Sequence, residues 1–128
     1  MILIIAAIIA CVLFFLMSIF QVLLALGLPL GRVAYGGKYE TLPKKLRIMS
    51  LIAVGIFIFG IFIVLEQGTI ITVFNNELLT TIVVWILAVF LTLNTLMNAV
   101  SKSQSEKRIM TPISFVIAVC CYILAILG

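Results

Sequence analysis

The chain has 128 residues, 66% of them hydrophobic and 9% charged, with a net charge of +4. Soluble domains carry about a quarter of their residues as charged ones, so this composition excludes an ordinary water-soluble domain and points to a membrane protein. The sequence contains no His and no Asp, which excludes bis-His haem ligation, His-based zinc sites and a Ser-His-Asp triad built from this chain alone.

A helix needs about 20 apolar residues to cross about 30 Å of hydrocarbon. The first stretch of that kind runs from Ile2 to Leu26. Only Met1 precedes it, so it lacks the positive leading region of a signal peptide, and its apolar run is too long for one. Being longer than the hydrocarbon is thick, it is expected to tilt, or to lay its last turn before Pro29 in the interface. Ser18 and Gln21 fall near its end. In the segment that follows, Gly31, Gly36 and Gly37 permit tight turns, Pro29 and Pro43 punctuate the chain, and Tyr35 and Tyr39 suit the headgroup level. Arg32, Lys38, Lys44, Lys45 and Arg47 also fall there and are candidate contacts for anionic lipid headgroups, at about 1 kcal/mol each. A pairing of Glu40 with Lys44 or Arg47 is expected only if the stretch around Pro43 is helical.

The second span is Leu46 to Leu65, with Ser50 near its start. Glu66-Gln67-Gly68 then reads as a helix end and Asn75-Asn76-Glu77 as a helix start, with Gly near C′ and Asn able to cap. Between them Ile70 to Phe74 is apolar and is expected on the membrane surface. Glu66 reads as a boundary residue, although it is the one carboxylate placed to serve proton coupling. The third span, Leu78 to Val100, carries Asn94, Thr95 and Asn98 near its end; a short segment with Lys102, Lys107 and Arg108 leads to the fourth, Ile109 to Leu127, which begins with Thr111 and Ser114.

All Lys and Arg therefore fall in two connections or, for Arg47, at the helix start that adjoins one of them. Cytoplasmic loops are enriched in these residues, so Gly27 to Lys45 and Ser101 to Arg108 are expected inside, with both termini and the Glu66 to Glu77 connection outside. The expected fold is all-α: a single four-transmembrane-helix bundle over residues 1–128, made of two hairpins of the same orientation. A transmembrane β-barrel would alternate apolar and polar residues over about ten positions, whereas these runs are apolar on every side. Arg47-Ile48-Met49-Ser50 and Arg108-Ile109-Met110-Thr111 match at an offset of 61, which fits either an internal duplication or a shared need for a snorkelling Arg at a helix start.

Polar side chains within hydrocarbon need a partner or a cavity. Ser18, Gln21, Ser50, Asn94, Asn98, Thr111 and Ser114 all fall near the expected inner ends of the spans. They form either a binding cluster facing the cytoplasm or hydrogen-bonded glue between helices, at about 0.6 to 2 kcal/mol per bond. Asn94, Asn98 and Ser101 share one helical face. Cys11, Cys120 and Cys121 lie within spans and read as small packing residues. Ala6 with Ala10, Ser114 with Ala118, and Cys121 with Ala125 place small residues four apart, which lets helices approach closely.

The runs Gly31-Arg32-Val33-Ala34-Tyr35-Gly36-Gly37 and Leu42-Pro43-Lys44-Lys45-Leu46-Arg47, with Ser50, resemble a group of uncharacterised small bacterial four-helix membrane proteins. So do Leu93-Asn94-Thr95-Leu96, Asn98, Ser101, Ser103 and Glu106-Lys107-Arg108-Ile109-Met110-Thr111-Pro112. The resemblance implies a bacterial plasma-membrane protein and carries no activity with it. The residues themselves favour a non-catalytic module that needs no cofactor, metal or nucleic acid and binds a protein partner or anionic phospholipid through its cytoplasmic face. A small transporter or channel, monomeric or dimeric, is the alternative, its length resembling that of small multidrug transporters, and an enzyme modifying inner-leaflet lipids is the third reading.

Overall fold

A computed structural model describes residues 1–31, 39 and 41–128. It contains four helices: α1 (Ile2–Ala25), α2 (Lys44–Gln67), α3 (Glu77–Ala99) and α4 (Gln104–Leu127). All four are long and apolar enough to cross a membrane, and there is no strand among the described residues. At 1.5 Å per residue a helix of 24 residues is about 36 Å long, enough to reach from one interface to the other.

The helix ends follow local chemistry more closely than hydropathy does. Helix α3 starts where Asn76 Oδ1 accepts the Leu79 amide at 3.1 Å, an N-cap of the expected kind. Helix α4 starts at Gln104 rather than near Ile109. Ser103 Oγ accepts the Glu106 amide at 3.3 Å, and the Ser-x-x-Glu spacing is that of a capping box. This extra turn is polar and charged, so an apolar-run criterion misses it. Helix α1 ends at Ala25 with Leu26 as its C-cap, after which Gly27 takes a positive φ of 88°. A Cβ there would lie 3.3 Å from the Arg47 guanidinium carbon, so glycine serves both the turn and the close approach of that side chain.

Helix α1 packs most extensively on α2, and α3 on α4; contacts of α1 with α4 and of α2 with α3 close the bundle. The core is a stripe on each helix. Ala6, Ala7, Ala10, Phe14 and Met17 of α1 face Phe57, Ile63 and Val64 of α2, Val84, Leu87 and Leu91 of α3, and Ile117, Cys121 and Leu124 of α4 within one buried cluster. Phe14 and Phe57 stack at 5.7 Å between ring centroids. The small residues spaced four apart, Ala6 and Ala10, Ser114 and Ala118, Cys121 and Ala125, are all buried. Close helix approach is tightest at Gly68, where an added Cβ would meet Ala7 Cβ at 2.4 Å. Opposite faces carry Ile8, Val12, Phe15, Leu51, Phe62, Ile86, Phe90 and Phe115, all exposed, which is the surface a lipid environment would cover.

The start of α1, the end of α2, the start of α3 and the end of α4 meet at one end of the bundle, since Gly68 packs on Leu3 and Ala7 while Gln67 reaches Thr81 and Leu124. This is called the terminal end below. The other end, formed by the α1–α2 and α3–α4 connections, is the basic end: it holds every Lys and Arg among the described residues. The 61-residue offset is not matched by equivalent packing, because Met49 is exposed while its counterpart Met110 is buried.

Candidate functional site

At the basic end the structure joins three of the expected polar residues. Asn98 Nδ2 donates to Ser114 Oγ at 3.0 Å and Asn94 Nδ2 to the same oxygen at 3.3 Å, while Ser114 donates to the Met110 carbonyl at 2.8 Å. One hydroxyl on α4 thus receives two amides from α3, and Ser114 and Asn98 are both buried. Ser18 is buried as well but turns back on its own helix, donating to the Phe14 carbonyl at 2.9 Å. Ser50 is fully buried on α2. Ser101 meets Asn98 only through the backbone, its amide donating to the Asn98 carbonyl at 3.2 Å, while its hydroxyl oxygen accepts the Ser103 amide at 3.1 Å. Gln21 Oε1 on α1 and Thr111 Oγ1 on α4 are buried with no hydrogen-bond partner among the described residues.

The basic residues divide into two kinds. Lys44, Lys45, Lys102, Lys107 and Arg108 are exposed. Arg47 is half-buried and its Nε donates to the Ala25 carbonyl at 2.8 Å, where a cation meets the negative end of α1 and one of its unsatisfied carbonyls. Leu42, buried against Leu24, ties the end of the same connection to α1. Arg32, Lys38 and Glu40 lie outside the described residues.

The terminal end holds features that composition alone did not reveal. Glu66 accepts three successive backbone amides of the α2–α3 connection: Val73 at 2.6 Å and Phe74 at 2.8 Å on Oε1, and Asn75 at 3.0 Å on Oε2. Both oxygens are therefore occupied in shaping the connection, in which Asn75 adopts a positive φ of 50°. Ile70, Val73 and Phe74 are exposed, as expected for an interfacial segment, and Phe74 meets Phe59 edge-on at 5.8 Å. Gln67 is buried; its Nε2 donates to Thr81 Oγ1 and to the Leu124 carbonyl, each at 3.2 Å. These bonds tie α2 to α3 and α4. Beside them lies a cavity of about 300 Å³ whose walls include Glu66, Gln67, Asn76, Glu77, Thr80 and Thr81.

Comparison with known protein families, curated proteins and solved structures returns no match.

Farther along the helices, Thr92 on α3 and Tyr122 on α4 share a hydrogen bond of 2.8 Å, and Tyr122 meets Trp85 edge-on at 6.0 Å. Sequence reasoning passed over this pair because neither residue lies at a span end. Among the described residues there is no group of His, Cys, Asp and Glu placed to hold a metal ion. The three cysteines are unpaired thiols, two of them buried.

Proposed function

We propose that this chain is a non-catalytic multi-pass module of the plasma membrane, bacterial by resemblance, that binds anionic phospholipid headgroups through its basic end. In this reading the basic end faces the cytoplasm and both termini lie outside, so the molecule consists of two hairpins of like orientation. The observation that supports it is the division of charge between the ends. Five exposed cations, Lys44, Lys45, Lys102, Lys107 and Arg108, crown one end, while Glu66 and Glu77 stand at the other. Cations clustered beside helix ends set orientation and attract the negative inner leaflet. The joined Asn94, Asn98 and Ser114 act beneath them as a bond between α3 and α4.

The test is native mass spectrometry of tagged protein taken from its own membrane with little delipidation. Retention of phosphatidylglycerol or cardiolipin over phosphatidylethanolamine, lost when Lys44, Lys45, Lys107 and Arg108 are all changed to Gln, is the expected result. Equal retention of zwitterionic lipid, or a stoichiometric protein partner in place of lipid, would overturn the lipid assignment. Alkaline phosphatase fused at the C-terminus should be active; an inactive fusion beside a fluorescent cytoplasmic reporter would reverse the orientation. A small transporter is the second reading, favoured by the polar cavity at the terminal end. Absence of flux of ions and organic cations in proteoliposomes would remove it.

A further inference from the structure

We infer that the seam between α1 and α4 at the basic end recognises a free hydroxyl on the glycerol backbone of a lipid, so that the preferred ligand of that end is an anionic lysophospholipid. The inference rests on the reading of the basic end as a site for anionic lipid, and it names the lipid.

The observation that carries it is a set of polar groups left without partners on two facing helices. Gln21 Oε1 on α1 and Thr111 Oγ1 on α4 are buried and make no hydrogen bond. Pro112, inside α4, has no N–H, so the Arg108 carbonyl one turn earlier lacks its helical donor. The Thr111 hydroxyl, which bonds nothing, does not replace that donor. Buried polar groups of native folds are nearly always bonded, and each one left unbonded is costly until something supplies its partner.

The register of the bundle brings these groups to one depth. Gly68 packs on Ala7 and the adjoining Gln67 bonds the Leu124 carbonyl, so Ala7 and Leu124 share a level near the terminal end. At 1.5 Å per residue, Gln21 lies about 21 Å from that level along α1 and Thr111 about 20 Å from it along α4. Gln21 follows buried Met17 by four residues and Thr111 precedes buried Ser114 by three, which puts both on the inward stripes of helices that pack on one another. Both residues are part-exposed with their oxygens turned inward, so a change of rotamer presents those oxygens to a molecule entering the seam.

The cations stand one turn farther out. Arg47 meets α1 at the Ala25 carbonyl, four residues past Gln21, and uses only Nε to do so. Lys107 and Arg108 are exposed in the opening turns of α4. Glu106 beside them is buried and already engaged. A turn is about 5.4 Å, a step comparable with that from the phosphate of a lipid to its glycerol carbons. A phosphate held by the cations therefore sets the glycerol beside Gln21 and Thr111. In a diacyl lipid that glycerol carries ester oxygens, which accept the Thr111 hydrogen but offer no donor to Gln21 Oε1 or the Arg108 carbonyl. In a lysophospholipid the free hydroxyl donates to one of these oxygens and accepts from Thr111. An ammonium group also donates, but Arg47, Lys107 and Arg108 repel it.

The experiment is native mass spectrometry of the full chain in detergent, offered equal amounts of 1-oleoyl-lysophosphatidic acid, its 2-deoxy analogue and dioleoylphosphatidic acid. The expected result is retention of the lysolipid about threefold to tenfold over its deoxy analogue, the ratio that one net hydrogen bond gives, and over the diacyl lipid. Gln21→Leu and Thr111→Val remove groups that the fold leaves unbonded, so both variants should fold, as circular dichroism checks, and each should bring the ratio to the deoxy analogue toward one. Equal retention of the lysolipid and its analogue by the original chain, or a ratio that survives both substitutions, would overturn the inference and leave the anionic-lipid reading standing. Changing Lys44, Lys45, Lys107 and Arg108 to Gln should lower retention of all three lipids. Unchanged retention in that variant, or retention of none of the lipids by the original chain, would overturn the anionic-lipid reading and this inference with it.

Discussion

Replacing Ser114 by Ala removes the acceptor that Asn98 and Asn94 share at 3.0 and 3.3 Å. Hydrogen bonds between helices in membrane proteins contribute about 0.6 kcal/mol on average and up to about 1.7. The shorter bond belongs to a residue that is 7% exposed, so its amide would be stranded away from any other partner and should lie toward the upper figure. The longer bond should lie toward the lower. Together they give an expected destabilisation of about 2 kcal/mol; the lost Ser114 to Met110 back-bond, which slightly destabilises a helix, opposes this rather than adding to it. Reversible unfolding in mixed dodecylsulfate micelles, followed by circular dichroism or by the fluorescence of the single tryptophan, Trp85, measures the change. The sharper measurement is a double-mutant cycle of Ser114→Ala with Asn98→Leu, whose coupling should be about 0.6 to 1.7 kcal/mol. A coupling within error of zero would refute the view that these residues join α3 to α4. If both single variants kept full stability but lost a co-purified ligand, the cluster would be a binding pocket.

Gly68→Ala should cost about 1 to 3 kcal/mol by overpacking, since its Cβ would meet Ala7 Cβ at 2.4 Å; thermal unfolding in detergent reads the loss, and Ala7→Gly should restore part of it if that contact is the cause. Arg47→Met leaves the Ala25 carbonyl without its donor at 2.8 Å and should lower stability by about 1 kcal/mol, with Arg47→Lys intermediate; equal stability of all three proteins would remove the capping role. Glu66→Gln exchanges an oxygen acceptor for a donor beneath the Val73, Phe74 and Asn75 amides, so limited proteolysis between residues 69 and 76 should accelerate while the helical circular dichroism stays constant; an unchanged cleavage rate would show that the carboxylate does not hold the connection.

The four helices were legible because each is a run of apolar residues as long as a bilayer is thick, a signal that survives ignorance of every contact. Their ends were less so. The first turn of α4 contains Gln104, Ser105, Glu106, Lys107 and Arg108, which hydropathy reads as loop; the spacing of Ser103 and Glu106 was present in the sequence and would have marked the helix start. Among the candidate site residues, the i, i+4 spacing of Asn94 and Asn98 correctly placed them on one face. That both would meet Ser114, and that Ser18 would bond within its own helix, depends on the rotation and register of one helix against another. Gln67 was read only as part of a helix end. Its burial depends on Leu124, 57 residues away, and no local pattern encodes that.

Both ends of the bundle use buried amides to join helices, and they differ in the charged groups around those amides. At the basic end the buried amides of Asn94 and Asn98 find an acceptor on the neighbouring helix, so the polarity is consumed in holding the fold and the exposed cations are left to act. At the terminal end the Nε2 of Gln67 is consumed in the same way. The two carboxylates there also have separate duties. Glu66 shapes the connection through three amides, whereas Glu77 is exposed in the first turn of α3. Neutralising Glu66 should therefore accelerate proteolysis of the connection, and neutralising Glu77 should leave it unchanged. If both substitutions accelerated cleavage equally, the three amide bonds to Glu66 would not be what holds the connection.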